Sequence, residues 1–258
     1  MHLTRRGALQ LGLAGTASLG VTTIMPFAAR SQDMGDSYAT DSGQILISPI
    51  SHASFVMQVP GLVVYNDPVG GKALYDGHPA PGLILVTHEH QDHFDPETLA
   101  AIVGEETRLV TNPSVFEKLP EDLKAKATAI ANGEKTTVGT LEIEAVPAYN
   151  TTEDRKKYHP QGRDNGYVLS VDGRRVYIAG DTEDIPEMRA LKDIYIAFVP
   201  MNLPYTMDET QASSAVAEFK PAFVYPYHYQ GSDTQAFADK VKAAAPDTQV
   251  VMGEWYKS

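Results

Sequence analysis

The chain has 258 residues, 43% hydrophobic and 21% charged, the composition of a soluble globular protein long enough for one large domain or two small ones. The formal net charge is −12 and no basic patch stands out, which argues against nucleic-acid binding through the phosphate backbone. There are no cysteines, so disulfides and thiolate ligands are excluded and any bound metal must be held by His, Asp and Glu.

The chain opens with Thr4-Arg5-Arg6-Gly7-Ala8-Leu9, followed by an uncharged, small and mildly apolar stretch from Leu11 to Phe27. A basic start, a mild apolar run and small residues near Ala28-Ala29 predict a signal peptide over residues 1–31, cut between 28 and 32. The paired arginines resemble a twin-arginine signal, so a periplasmic or otherwise exported protein is expected. A membrane anchor is the other reading, but the stretch is short and rich in Gly, Ala and Thr. Loss of the three arginines Arg5, Arg6 and Arg30 would take the formal charge from −12 to −15. No later stretch is long and apolar enough to span a bilayer, so no stable membrane insertion is expected after cleavage.

Residues 32–43 read as a polar linker and 44–258 as one domain. Gln44–Ser48, Ser54–Val59 and Leu62–Asn66 read as strands, the last two joined at Pro60-Gly61. Leu83–Thr87 is a buried strand. Asp95-Pro96 starts a helix that runs to about Val103. Arg108–Thr111 follows as a strand, Pro113–Leu119 as a short helix and Leu141–Pro147 as an alternating strand. A long polar loop runs from Ala148 to Asn165. Gly166–Val171 and Arg174–Ala179 then make a hairpin across Asp172-Gly173. A short helix, a buried strand (Ile194–Pro200), a helix (Asp208–Phe219), a strand (Ala222–Tyr227), a helix (Ser232–Ala245) and a last strand (Gln249–Met252) complete the chain. Hairpins followed by alternating strands and helices predict mixed sheets covered by helices.

Several strands end in a metal-ligand side chain: Asp67, His88, Asp181 after Gly180, and His228. Three histidines and an aspartate crowd into His88-Glu89-His90-Gln91-Asp92-His93. Neutral imidazoles with carboxylates suit a borderline metal such as zinc. Taken singly, Asp67 could open a turn before Pro68, Asp181 could cap one, and His228 could be a hydrogen-bonded structural histidine.

This set resembles the metallo-β-lactamase superfamily. Residues 88–93 match its His-x-His-x-Asp-His signature, and Asp67, Gly180-Asp181-Thr182 and His228 match its other motifs in order. The resemblance covers nearly the whole mature chain and implies a four-layer αββα sandwich, two mixed sheets flanked by helices, with one or two zinc ions at one edge. Ile50-Ser51-His52-Ala53-Ser54-Phe55 and the lack of thiols look like the branch of ascorbate-phosphate lactonase-like hydrolases, related also to phospholipase-D-type N-acylethanolamine-lipid hydrolases. The resemblance implies that His88 and His90 bind a first metal and that Asp92, His93 and His228 bind a second. Asp181 would bridge them, and Asp67 would orient a ligand or its loop. Asp92 would also serve catalysis by accepting or passing a proton.

One position departs from the pattern. The family expects a further first-metal histidine just past a strand, here Leu141–Pro147, where the chain reads Ala148-Tyr149-Asn150. Of eight histidines, His159 in the long loop is the candidate replacement, and Tyr149 a direct ligand or neighbour of the site. His52 reads as a ligand-supporting or substrate-contacting residue, or else a packed histidine. His78 reads as an exposed loop residue. Pro200–Met207 with Tyr227, Tyr229 and Tyr149 reads either as an aromatic wall or as core. The expected activity is hydrolysis of an ester, lactone, amide or phosphodiester bond in a small substrate. Zinc is the expected cofactor, one or two ions, with manganese or iron as other metals. A non-catalytic metal-binding protein and an iron-dependent redox enzyme are the alternatives; His at position 90, where flavodiiron-type oxygen reductases carry Glu, favours the zinc hydrolase. Oligomeric state is not legible in the sequence.

Overall fold

The computed structural model describes residues 35–256, and the expected signal peptide lies outside the described residues. Two seven-stranded mixed sheets make the frame. The first contains β1 (Asp36–Ala39), β2 (Gln44–Ser51), β3 (Ser54–Val59), β4 (Leu62–Asn66), β5 (Leu83–Val86), β6 (Arg108–Thr111) and β7 (Ala127–Ala129), in that spatial order. The second contains β8 (Lys135–Val138), β9 (Leu141–Ala148), β10 (Asp164–Val171), β11 (Arg174–Ile178), β12 (Ile194–Pro200), β13 (Phe223–Tyr227) and β14 (Gln249–Val250), also in chain order. In each sheet the first four strands form an antiparallel meander and the last three add in parallel.

Period-two alternation divides the strand side chains between three cores. Leu83 and Leu85 face the space between the sheets, with Phe55, Phe198, Tyr225 and Trp255. Ile84 and Val86 face outward, against the helices α1 (Pro96–Ile102), α2 (Pro113–Lys118) and α3 (Glu121–Lys124). The outer face of the second sheet packs Ala197, Val199 and Val224 against α4 (Pro186–Arg189), α5 (Glu209–Phe219) and α6 (Thr234–Ala244). Three apolar layers between four structural layers make the αββα sandwich, and each buried Leu, Ile or Phe contributes about 1.5–3 kcal/mol. Helix starts follow local chemistry: Asp95 caps α1 ahead of Pro96, and Asp208 with Gln211 forms a capping box on α5.

Residues 36–39 correct the expected linker over 32–43. They pair with β2 as an edge strand because Tyr38 buries its ring against Phe223 and Tyr225, an anchor that a reading of the segment as polar overlooked. No described helix is long and apolar enough to cross a membrane.

Candidate metal centre

Loops from both sheets meet at one end of the sandwich. Asp67 follows β4 and is fully buried. Its Oδ1 accepts from the Thr87 amide at 2.7 Å, while Oδ2 accepts from Thr87 Oγ1 at 2.7 Å and from His93 Nδ1 at 2.8 Å. Since Thr87 Oγ1 spends its proton on Asp67, it receives one from His88 Nδ1, 3.0 Å away. One carboxylate thus sets the tautomers of His88 and His93, turning both Nε2 lone pairs away from it and into the site. Carboxylate–histidine pairs of this kind orient metal-bound imidazoles.

His159 receives the same support in the other half. Its Nδ1 donates to Asp164 Oδ2 at 3.0 Å, which leaves Nε2 pointing toward Asp181 Oδ2, 3.4 Å away. Asp181, buried, sits between the histidines: its Oδ2 is 3.2 Å from His228 Nε2 and 3.9 Å from His88 Nε2, and its Oδ1 is 3.4 Å from His93 Nε2. Candidate ligand atoms fall into three groups, each within 4.8 Å: His88, His90 and His159; His88, His93 and Asp181; and His52, Asp92, His93 and His228. The structure therefore brings His159 to the pair that lacked a third histidine.

Backbone strain concentrates here. Of the non-glycine residues with positive φ, His52 (53°), Asp67 (42°) and His228 (47°) all lie at this centre, as expected where function over-determines a conformation. Gly180, at φ 66°, turns the chain before Asp181, and a Cβ there would lie 2.7 Å from the Asn165 carbonyl oxygen.

Burial and the crowd of other imidazoles push His88 well below the ordinary histidine range, and burial lowers His90 and His52. Burial also opposes a charge on His93, but Asp181, Asp67 and Asp92 outweigh it and raise the ring to about 9. Burial would raise Asp92, yet the His228 ring, 3.6 Å away, and the hydrogen bond from His52 hold it far below the carboxylate range. Asp181 is held low by His228, His93 and His159 against the opposing effect of burial.

Among the described residues, His93 Nε2, His159 Nε2, both His228 ring nitrogens and Asp181 Oδ1 are buried without a hydrogen-bond partner. Each such atom costs about 1–3 kcal/mol if left unsatisfied. The Nε2 atoms of His93, His159 and His228 lie 3.4, 3.4 and 3.2 Å from Asp181 carboxylate oxygens without hydrogen-bond geometry. Nitrogen-rich donors with carboxylates in this arrangement fit one or two divalent metals.

His52 takes part as a neighbour. Its Nε2 donates to Asp92 Oδ2 at 3.1 Å, its Nδ1 accepts from the Tyr256 hydroxyl at 2.7 Å, and its ring lies 3.8 Å from that of His228. Tyr149 requires a correction. Its ring belongs to the outer core and its hydroxyl donates to Glu187 at 3.1 Å; only its backbone serves the site, through Thr182 and Glu183. Tyr149 follows the last residue of β9 and turns its ring to the outer face, in the same cluster as Val146. Tyr227 is core between the sheets, and Tyr229 packs on Tyr256. The aromatic residues facing the centre are Tyr158 and Tyr205. His78 is half-buried in its turn.

Sequence reasoning missed Thr87, Asp164, Tyr256 and the pair Glu183–Arg155. Glu183 Oε2 accepts from the Thr151 and Thr152 amides at 2.8 Å each, and Oε1 pairs with Arg155 Nη2 at 2.7 Å, which ties down the loop that carries His159. A carboxylate two residues beyond Asp181, facing a loop that must deliver a ligand, was the available signal.

A family model described as the beta-lactamase superfamily domain matches residues 47–228, a span that ends on His228. A metal-dependent hydrolase of Pyrococcus furiosus is 29% identical over 194 residues, 72% of this chain and 84% of its own length. A crystal structure from Parabacteroides distasonis, described as a metal-dependent hydrolase, is 43% identical with a TM-score of 0.79, covering 86% of this chain and 99% of that one. A metallo hydrolase from Ignicoccus hospitalis, 23% identical, shares the fold at a TM-score of 0.68 over 83% of this chain and 96% of its own. The chain belongs to the metallo-β-lactamase superfamily of metal-dependent hydrolases.

Proposed function

We propose that this protein is a two-metal hydrolase, with zinc as its metal, acting on an ester, lactone, amide or phosphodiester bond of a small substrate. The observation that carries this reading is the convergence of unpaired, buried ring nitrogens on either side of Asp181. His88, His90 and His159 would hold one metal and Asp92, His93 and His228 the other, with Asp181 between them. Five imidazoles and no thiolate favour zinc, with manganese or iron able to use the same donors. Bound there, a divalent metal supplies a hydroxide nucleophile near neutral pH and polarises the scissile group.

The chain's own residues do the rest. Asp67 and Asp164 hold the tautomers, and Glu183 fixes the loop over the site. Asp92, half-exposed and ionised, is placed to accept a proton at Oδ2 or to pass one on, with His52 holding that oxygen. The test is metal analysis together with a lactone, phosphodiester and β-lactam panel. Two equivalents of zinc with turnover are expected; metal without turnover on any bond class supports a non-catalytic metal protein instead.

We also propose export by the twin-arginine route, supported by Arg5-Arg6 ahead of the uncharged run. Fractionation of the native cell should recover a periplasmic chain beginning between residues 28 and 33. A full-length cytoplasmic chain refutes this.

A further inference from the structure

The open space beside the metal-ligand residues is a cavity of about 400 Å³, at the small end of ligand sites. Beyond the candidate ligands and His52, its walls are Tyr158, Tyr205, Asn202 and Gln230, and none of its lining residues is Lys or Arg. The arginines of the neighbouring loop are already engaged. Arg155 pairs with Glu183 and donates to the Thr206 carbonyl, and Arg163 holds Asp164 with both Nε and Nη2. Lys156 pairs with Glu153, and Lys157 lies 5.0 Å from the centre of the Tyr158 ring without lining the cavity.

Exposed apolar side chains lie beside the cavity. The large hydrophobic residues exposed among those described number five; Leu203 and Tyr205 share one loop of the cavity, and Tyr256 reaches His52. Exposed apolar side chains gathered at a cavity mouth mark a binding surface. Tyr158 and Tyr205 meet edge to face at 5.0 Å, which presents ring surface and hydroxyls to a ligand.

We infer that the part of the substrate remote from the scissile bond is uncharged, packing on Tyr158 and Tyr205 and hydrogen-bonding Asn202 and Gln230. This rests on the hydrolase reading, while the geometry concerns the cavity alone. The reactive group can be anionic, since the metals would hold it. A second anionic group, remote from the metals, has no Lys or Arg among the lining residues to pair with, so binding it leaves a charge poorly compensated. Amide side chains and tyrosines supply donors and acceptors for carbonyl, hydroxyl or amide groups instead.

A pair of metal-anchored probes tests this without needing turnover: hexanohydroxamic acid and adipic acid monohydroxamate, identical except for a remote carboxylate. Calorimetry on the zinc-loaded protein should give at least tenfold tighter binding for the neutral probe. Gln230→Lys should narrow that ratio about tenfold. Equal or tighter binding of the carboxylate probe by the unaltered protein overturns the inference, and an unchanged ratio in Gln230→Lys removes Gln230 from the remote subsite. Absence of turnover on every bond class, with the probe preference intact, sinks the hydrolase reading while leaving the cavity assignment standing.

Discussion

Glu183→Gln should separate the support of the His159 loop from the ligands themselves. The native carboxylate is buried and accepts from the Thr151 amide, Thr151 Oγ1 and the Thr152 amide while pairing with Arg155, whose other amino group reaches the Thr206 carbonyl. Burial would raise this carboxyl, but the Thr151 and Thr152 hydrogen bonds keep it below the ordinary range, so the native group is ionised. Gln preserves shape and can still accept from the two amides, but its NH2 then faces the guanidinium. A hydrogen bond to a charged group is worth about 1.5–3 kcal/mol, and a fully buried pair costs about 3–5 kcal/mol to break. Arg155 keeps some solvent contact, which places the loss at about 2–3 kcal/mol. For a domain of this size that lowers Tm by roughly 4–12 °C. The loop also delivers His159, so affinity for the metal at His88, His90 and His159 should fall about 10–100-fold, as for other groups that orient ligands. Calorimetric melting and zinc titration against a competing chelator measure both effects. A lowered Tm with both zinc affinities unchanged would refute the coupling of staple and ligand.

His159→Ala should reduce bound zinc from two equivalents to one by elemental analysis, and retention of two removes His159 from the ligand set. Asp67→Asn should weaken zinc binding about 10–100-fold through His93 and, by way of Thr87, His88; chelator competition shows it, and unaltered affinity shows that the tautomers are set otherwise. Gly180→Ala forces a Cβ against the Asn165 carbonyl at positive φ. It should cost about 1–3 kcal/mol in denaturant unfolding and depress turnover by moving Asp181, whereas native stability would show that the turn relaxes freely.

The sequence made the strand-end ligands legible because each follows an apolar run whose period and length mark a buried strand, as with Leu83–Val86 before His88. The helix caps at Asp95 and Asp208 were legible for the same local reason. What stayed hidden depended on tertiary partners. The polar stretch around Tyr38 becomes a strand only because the second sheet supplies Phe223 and Tyr225. Tyr149 was misjudged because a position next to the expected ligand is not a position on its face. Asp164 is separated from His159 by four residues of loop, and no periodic pattern relates the two; only the folded turn brings them within 3.0 Å.

The repeated topology explains why His159 can stand where it does. Each sheet is a four-strand meander extended by three parallel strands, so β2–β3 and β9–β10 occupy equivalent places, as do β4 and β11. The β2–β3 turn carries His52 and the β9–β10 loop carries His159; β4 leads to Asp67 and β11 to Asp181. Each half thus contributes a histidine from its second connection and a carboxylate from the end of its fourth strand. The halves then diverge. The loop after β5 is filled with ligands, His88 to His93, whereas its counterpart after β12 carries Asn202 and Tyr205 toward the cavity. The loop after β6 begins with Asn112, which caps α2, whereas its counterpart after β13 begins with His228. A histidine absent from the end of β9 is therefore replaceable at low structural cost. The β9–β10 connection already opens onto the metal-ligand end of the sandwich, and lengthening a surface loop costs only about 0.6 kcal/mol per doubling. The requirement is a device that returns the longer loop to the site, and Asp164 with the Glu183–Arg155 pair provides it.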